Sequence, residues 1–218
     1  MATRPEELTR WRGGKLCATA AAALERNGFR AIVCETASDA VSAVVREAAG
    51  AQTIGLGGSL TVASLGVSDL LAREGKCLLN HSAPGLSPEE KLEVMRRQQV
   101  CDLFLTGANA ITLDGRIVNV DGVGNRVAAT IFGPKRVLLV AGRNKLVDGG
   151  IDAALARIRA FAAPPNAFRL GRHTPCAATG LCADCASPER ICNVTVVLDK
   201  RPSRSDIVVV LVNEDLGL

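Results

Sequence analysis

Residues 53–61 read Thr-Ile-Gly-Leu-Gly-Gly-Ser-Leu-Thr, and this stretch decides the fold. The first four residues suit a short strand, Gly57-Gly58-Ser59 forms a turn, and the chain from Leu60 to Arg73 can be helical. A strand that passes through a turn directly into a helix is the repeating unit of α/β proteins. The stretch therefore predicts an α/β fold.

The alternation of strand and helix continues in both directions. Upstream, a strand over 30–35 leads into a helix with its N-cap at Ser38. Downstream, Ser87-Pro88-Glu89-Glu90 is a capping box that starts a helix reaching about Val100. The other predicted elements are a helix over 5–27 interrupted at Gly13-Gly14, strands over 77–79, 102–105, 136–141, 194–198 and 207–212, a hairpin over 111–118, and a helix over 151–162 closed by Pro164-Pro165. This order predicts a mostly parallel sheet with helices on both faces, and a Cys-rich C-terminal segment.

The composition fits a globular protein. The chain has 218 residues, 48% hydrophobic and 22% charged, and we expect the regions 1–50, 51–165 and 166–218 to form one compact domain. No apolar stretch approaches the roughly 20 residues that cross a bilayer, and the first residues lack the pattern of a secretory signal. We therefore expect a cytoplasmic protein without a membrane span. The net charge of +4 is scattered and Tyr is absent, which argues against nucleic acid as a partner.

Three predicted strands end in polar loops, at 57–61, 106–109 and 142–145. The carboxyl ends of parallel strands share one edge of a sheet, where open α/β proteins bind their ligands. Glycine allows close backbone approach, and hydroxyl and ammonium groups complement phosphate or carboxylate. The candidate ligand residues are Gly57, Gly58, Ser59, Thr61, Asn109, Asn144 and Lys145. The loops match neither Gly-x-Gly-x-x-Gly nor a Walker loop, so the sequence gives NAD and ATP no support.

A fourth polar loop spans residues 119–126. Its Gly-rich centre either binds an anion or is only a hairpin exit with an Asn cap. The further candidate ligand residues are Asp121, Gly122, Gly124, Asn125 and Arg126. Asp121 is the best carboxylate for acid or base chemistry, although no partner spacing supports that role. His81 follows another strand and either faces solvent or reaches the same edge as a proton carrier. No catalytic residue is assigned.

The eight cysteines fall into two groups. Cys17, Cys34, Cys77 and Cys101 lie among apolar neighbours, and we expect them in the core. The other four form the pattern Cys-x5-Cys-x2-Cys-x6-Cys within 17 residues, at Cys176, Cys182, Cys185 and Cys192. Four thiolates so spaced can hold zinc or an iron–sulfur cluster, and the spacing leaves both open. Disulfides and free thiols are the alternatives.

Four motifs resemble those of one known family. They are Gly57-Gly58-Ser59, Asn-Ala-Ile-Thr-Leu-Asp-Gly at 109–115, Val-Asn-Val-Asp-Gly-Val-Gly-Asn-Arg-Val-Ala at 118–128, and Val-Ala-Gly-Arg-Asn-Lys at 140–145. Together they resemble the LUD-domain family of LutC/YkgG-like proteins, named for lactate utilisation, over about residues 53–217. The resemblance implies a Rossmann-like fold related to ribose-phosphate isomerases, glucosamine-phosphate deaminases and CoA transferases, with ligands at the strand-end loops.

The resemblance also implies a role in the oxidation of L-lactate to pyruvate beside iron–sulfur partner subunits. We therefore expect a subunit or accessory of a redox system for L-lactate or a similar hydroxy acid, which binds a small anionic ligand, either a carboxylate, a phosphate or a CoA-like molecule. One alternative is a non-catalytic, metal-stabilised binding protein for a phosphorylated or CoA-like ligand. Another is a sugar-phosphate isomerase that uses Asp121 or Lys145. Whether the chain is itself an enzyme stays open.

Overall fold

The computed structural model describes residues 4–218, in which helices and strands alternate. The helices are α1 (Pro5–Arg26), α2 (Ala37–Ala48), α3 (Leu60–Ser64), α4 (Val67–Arg73), α5 (Pro88–Gln98), α6 (Asn125–Ile131), α7 (Gly150–Arg157), α8 (Ala163–Arg169) and α9 (Pro175–Thr179). The strands are β1 (Arg30–Cys34), β2 (Thr53–Leu56), β3 (Cys77–Leu79), β4 (Leu103–Gly107), β5 (Ala110–Thr112), β6 (Ile117–Asp121), β7 (Arg136–Gly142), β8 (Leu146–Val147), β9 (Val194–Leu198) and β10 (Ile207–Val212). No helix in this part of the chain has the length and apolar character that a membrane crossing needs.

The central sheet has six strands in the order β1-β10-β7-β4-β2-β3, and every neighbouring pair is parallel. This confirms the predicted α/β architecture. β10 is buried along its whole length because helices cover both faces of the sheet. A smaller sheet, in the order β8-β5-β6-β9, carries the predicted hairpin as the antiparallel pair β5–β6.

Helices cover the two faces of the central sheet in separate groups. On one face α2, α3 and α4 pack through residues such as Val44, Val62 and Leu71. On the other face α1 and α6 pack through residues such as Leu24 and Ala129, together with the small sheet. The chain leaves β2 toward the first face and leaves β4 toward the second, so its winding reverses between these two neighbouring strands. The crevice at their carboxyl ends is the topological switch point, where ligands of this architecture bind.

Two predicted features of the first helices are wrong in detail. Gly13 and Gly14 do not interrupt α1, which runs continuously across them. Gly13 is instead a packing residue, because a Cβ there would overlap Asn213 Oδ1 and lie 2.7 Å from Arg143 Cδ. The N-cap of α2 is Thr36 and not Ser38, since the Thr36 hydroxyl accepts a hydrogen bond from the backbone N–H of Asp39 at 3.2 Å.

Two further predictions need correction. Pro164-Pro165 does not close the C-terminal helix, because both prolines lie in the first turn of α8, where their missing N–H groups leave no helical bond unmade. A wide turn over 158–162 joins α7 to α8. Cys77 is exposed and not in the core, because it begins β3 at the edge of the sheet. The other three cysteines of that group, Cys17, Cys34 and Cys101, are buried as predicted.

Candidate functional site

A cavity of about 730 Å³ lies at the topological switch point. The loop after β2 (57–61) forms one wall, and the end of β4 with the residues that follow it (106–109) forms another. Lys145, which follows β7, lies in a third wall. Residues 120–126 and part of α8 complete the lining. The volume falls within the roughly 300–1,000 Å³ of small-molecule and cofactor sites. We call this space the switch-point cavity.

Glycine at positions 57 and 107 allows the first two walls of the cavity to approach each other closely. A Cβ on Gly107 would lie only 2.6 Å from Ser59 Oγ, and a Cβ on Gly57 would overlap the Thr106 hydroxyl. Ser59 also caps α3, since its Oγ accepts a hydrogen bond from the backbone N–H of Val62 at 3.3 Å. These glycines are therefore explained by the close packing of the two loops at the cavity.

Lys145 is the most deeply placed cation of the cavity, with 5% of its surface exposed. Its Nζ donates a hydrogen bond to Thr61 Oγ1 at 2.6 Å, and the Thr61 hydroxyl in turn donates to the carbonyl oxygen of Leu216 at 3.2 Å. Burial, with added repulsion from Arg157 and Arg126, lowers the pKa of Lys145 to about 7. The amine therefore exists in both protonation states near neutral pH.

Arg126 is a cross-brace of the cavity wall. Its guanidinium donates to Asn119 Oδ1 at 2.8 Å, Asn109 Oδ1 at 2.9 Å and the carbonyl oxygen of Val120 at 2.8 Å. Asp121 Oδ2 lies 3.7 Å from its Nε and accepts a hydrogen bond from the backbone N–H of Val127. Asn109, Asp121 and Arg126 are thus held by partners within the protein, and Arg126 adds a fixed positive charge behind the wall.

The structure gathers most of the candidate ligand residues around this one cavity. Those that line it are Gly57, Gly58, Ser59, Thr61, Asn109, Asp121, Gly122, Asn125, Arg126 and Lys145. Asn144 lies instead beside a second cavity of about 320 Å³, and its side chain holds the C-terminal residues Leu216 and Gly217. Gly124 is the N-cap of α6 with a φ of +95° and lines neither cavity.

Several cavity residues were not identified by sequence reasoning. They are exposed cations, namely Lys91 of α5, Arg169 of α8 and Arg172, which follows α8. Only their spatial position marks them, because their sequence surroundings resemble those of ordinary surface residues. Among the residues that line the cavity, four are permanent cations, Lys145 is a titratable amine, and Asp121 supplies the single carboxylate side chain.

His81 lies in the cavity wall and is half-buried. Its Nδ1 is 3.1 Å from Nε2 of the buried Gln98. Burial lowers the pKa of His81, while the bond to Gln98 and the charge of Asp121 act in the opposite direction. The imidazole therefore adds no fixed positive charge to the cavity at neutral pH.

The cysteine segment borders the same cavity. Ile191 and Cys192 line it, and Asn193 ties the segment to the neighbouring loop through bonds to the carbonyl oxygens of Asp121 at 2.9 Å and Gly122 at 3.0 Å. Arg190 organises the segment, with its guanidinium bonded to the carbonyl oxygens of Cys185 and Cys192.

The four thiols of this segment are near enough to influence one another. Burial raises the pKa of Cys192, Arg190 opposes this, and the charges of Cys176, Cys182 and Cys185 raise the pKa further. Within residues 4–218, no three Cys, His, Asp or Glu side chains form a group that could hold a metal ion, and no cysteine is in a disulfide. The metal site at these cysteines stays a prediction.

A family model of the LUD domain matches residues 17–212. The chain belongs to the LUD-domain family. The resemblance seen in the loop motifs is thereby confirmed, and the matched range extends further toward the N-terminus than those motifs did. No curated protein matches this LUD-domain chain.

Among solved structures, the LUD-domain chain is similar to a DUF162 family protein from Deinococcus radiodurans, determined at 1.70 Å resolution. The TM-score is 0.51 and the sequences are 14% identical, with 92% of this chain and 98% of that chain covered. At this identity the likeness shows a shared fold and carries nothing about ligands.

Proposed function

We propose that this LUD-domain protein binds an anionic small molecule in the switch-point cavity, as a cytoplasmic subunit or accessory of a redox system for L-lactate or a similar hydroxy acid. The observation that carries the binding proposal is the charge of the lining, with four permanent cations, the titratable amine of Lys145 and one carboxylate side chain. A concave site with one sign of charge concentrates ligands of the opposite sign. The redox context rests on the family resemblance alone.

The cations have different parts in such binding. Arg126 is occupied by bonds to the protein, so it acts through its charge and not by direct contact. Arg172 has its side chain free of hydrogen bonds among residues 4–218, while Arg169 bonds only to Asn166. Arg169 and Arg172 are exposed at the cavity and can contact a carboxylate or phosphate. We call these two residues the rim arginines.

The cavity volume favours a second candidate. A three-carbon acid would fill only a fraction of about 730 Å³, so a phosphorylated or CoA-like ligand suits the space better than lactate by itself. In that case the protein is a binding module whose ligand is larger than the hydroxy acid. The Asp121 carboxylate is already engaged by protein partners, so its contacts give no support to an isomerase that uses this residue.

The four cysteines fit a tetrathiolate metal site by donor type and by spacing, and Cys176, Cys182, Cys185 and Cys192 would be the ligands. Bound zinc would stabilise the segment, whereas an iron–sulfur cluster would transfer electrons. Anaerobic purification with metal analysis and visible absorption distinguishes the two. Paired Ser substitution of Cys182 and Cys185 is expected to abolish the metal content, and an unchanged content would exclude this ligand set.

A thermal-shift screen tests the anion proposal. The compounds are L-lactate, ribose 5-phosphate, pyrophosphate, CoA and ATP, each over a range of concentrations. A ligand at 100 times its Kd stabilises the folded state by about 2.7 kcal/mol, which gives a measurable rise in Tm. The screen is repeated on Arg169→Glu/Arg172→Glu, with Lys200→Glu/Arg204→Glu as the control of equal charge change outside the cavity.

We expect at least one anion to stabilise the wild type and the control, and to lose that effect in the rim variant. If none of the five compounds shifts the wild type, or if the rim variant responds like the control, the cavity is not the anion site.

A further inference from the structure

The amine of Lys145 has an unusual set of neighbours for a lysine. Its single hydrogen-bond partner among residues 4–218 is Thr61, whose own hydroxyl proton is directed to Leu216. No carboxylate of the described residues forms an ion pair with it. The rest of the nitrogen's bonding capacity is therefore left for a molecule in the cavity that Lys145 lines.

Two fixed guanidinium groups disfavour the charged form of this amine. Arg157 is held by bonds to the carbonyl oxygens of Asn144 and Asn109, both at 2.8 Å, and Arg126 is held in the cavity wall. Neither cation can swing away, so their repulsion persists. Burial, which is the larger cause, and this repulsion together bring the pKa of Lys145 to about 7. A lysine that is desolvated beside other cations is an activated nucleophile.

We propose that Lys145 forms a covalent imine with an acidic carbonyl compound, meaning an aldehyde or ketone that also carries a carboxylate or phosphate. This inference rests on the proposed function, because the acid group is held by the cations of the switch-point cavity. It goes further by naming the reacting group of the ligand and the atom of the protein that bonds to it.

The reaction is balanced without an oxidant or reductant. The lone pair of Nζ attacks the carbonyl carbon, the C=O π pair moves to oxygen, and a proton passes from nitrogen to that oxygen to give a carbinolamine. Loss of one water then gives the C=N bond. The Thr61 hydroxyl oxygen accepts a hydrogen bond from Nζ at 2.6 Å and so orients the amine for this attack.

The rest of the cavity suits the other end of such a ligand. The rim arginines supply charge for its carboxylate or phosphate.

Reductive trapping tests the proposal. The wild type is incubated at pH 7.5 with pyruvate or dihydroxyacetone phosphate, as carboxylate and phosphate probes, and with cyanoborohydride, which reduces an imine to a stable secondary amine. Acetone is the carbonyl probe without an acid group. Peptide mass spectrometry then locates the adducts.

We expect at least one acidic probe to label Lys145 more than tenfold over the average of the exposed lysines, and acetone to give no such selectivity. Lys145→Arg keeps the positive charge but is expected to lose the selective label, whereas Lys200→Arg is expected to retain it. Lys145→Met serves the same purpose if the arginine variant does not fold.

Labelling spread over the exposed lysines, and unchanged by substitution of Lys145, would overturn the imine proposal. A probe that shifts Tm but leaves Lys145 unlabelled would support anion binding while overturning the imine. Equal selective labelling by acetone would overturn the requirement for an acid group.

Discussion

Replacement of Lys145 by methionine is expected to stabilise the protein at low pH. The lysine pKa falls from 10.5 to about 7 on folding, so the folded state resists protonation of this group. At 1.36 kcal/mol per pH unit, the full penalty of the charged amine is about 4–5 kcal/mol. Loss of the bond to Thr61 offsets about 1 kcal/mol of this gain. The expected net stabilisation is about 3–4 kcal/mol where the wild-type lysine is fully charged.

The sign of the pH dependence follows from the lowered pKa. Below pH 7 both the folded and the unfolded wild type carry the proton, and the penalty is complete. Between pH 7 and 10.5 the unfolded state binds the proton more strongly, so the wild type gains stability as pH rises. The advantage of Lys145→Met therefore declines over this range and is lost near pH 10.5. The charged groups acting on the amine are Arg157 and Arg126, which keep their charge throughout.

Urea denaturation of reduced protein at pH 6, pH 8 and pH 10 measures this difference, and Lys200→Met, at an exposed position, is the matched control. The free energy of unfolding of Lys145→Met is expected to exceed that of the wild type most at pH 6. A difference that is the same at all three pH values, or a variant that is less stable than the wild type at pH 6, would refute the description of Lys145 as a desolvated amine.

Three further substitutions test the packing around the site by urea denaturation. Gly107→Ala brings a methyl group to 2.6 Å from Ser59 Oγ and is expected to lower the free energy of unfolding by about 1–3 kcal/mol. Gly50→Ala is the control, because its methyl group enters open space. Equal losses of stability in the two variants would contradict the packing explanation. Arg126→Met leaves the acceptors of the brace unpaired and is expected to lower stability by about 2–4 kcal/mol; a change under about 0.5 kcal/mol would show that the brace is dispensable. Thr36→Ala is expected to destabilise by about 1 kcal/mol, and Ser38→Ala by much less; the reverse order would return the N-cap to Ser38.

The fold was largely predictable because its signals are local. The capping box at Ser87 forms as expected, with its hydroxyl 3.2 Å from the backbone nitrogen of Glu90, and the buried strands β7 and β10 follow from short apolar runs. The predictions of helix breaks were wrong where glycine or proline, which usually interrupts a helix, has a different role in the folded protein. Gly13 leaves room for the side chain of Asn213, which follows β10, and no residue near Gly13 in the sequence indicates this contact. Pro164 and Pro165 lie in the first turn of α8 and do not end α7, because a wide turn over 158–162 lies between the two helices.

The location of the cavity at this edge of the sheet was predictable, and its lining only in part. The carboxyl ends of parallel strands meet at one edge, so the loops after β2 and β4 could be placed together in advance. The residues of α5 and α8 that line the cavity could not be placed there from the sequence, because their position depends on how the helices pack. Asn144 and Lys145 are adjacent in sequence but line different cavities, because they lie in a tight 3₁₀ turn over 143–145.

The central claim is that the switch-point cavity of this LUD-domain protein binds an anion. Isothermal titration calorimetry with pyrophosphate, which carries the required charge and no other chemistry, tests it most directly. We expect saturable binding at one site per chain, retained by Lys200→Glu/Arg204→Glu and weakened at least tenfold by Arg169→Glu/Arg172→Glu. Absence of saturable binding to the wild type, or equal affinity of the two charge-reversal variants, would contradict the claim.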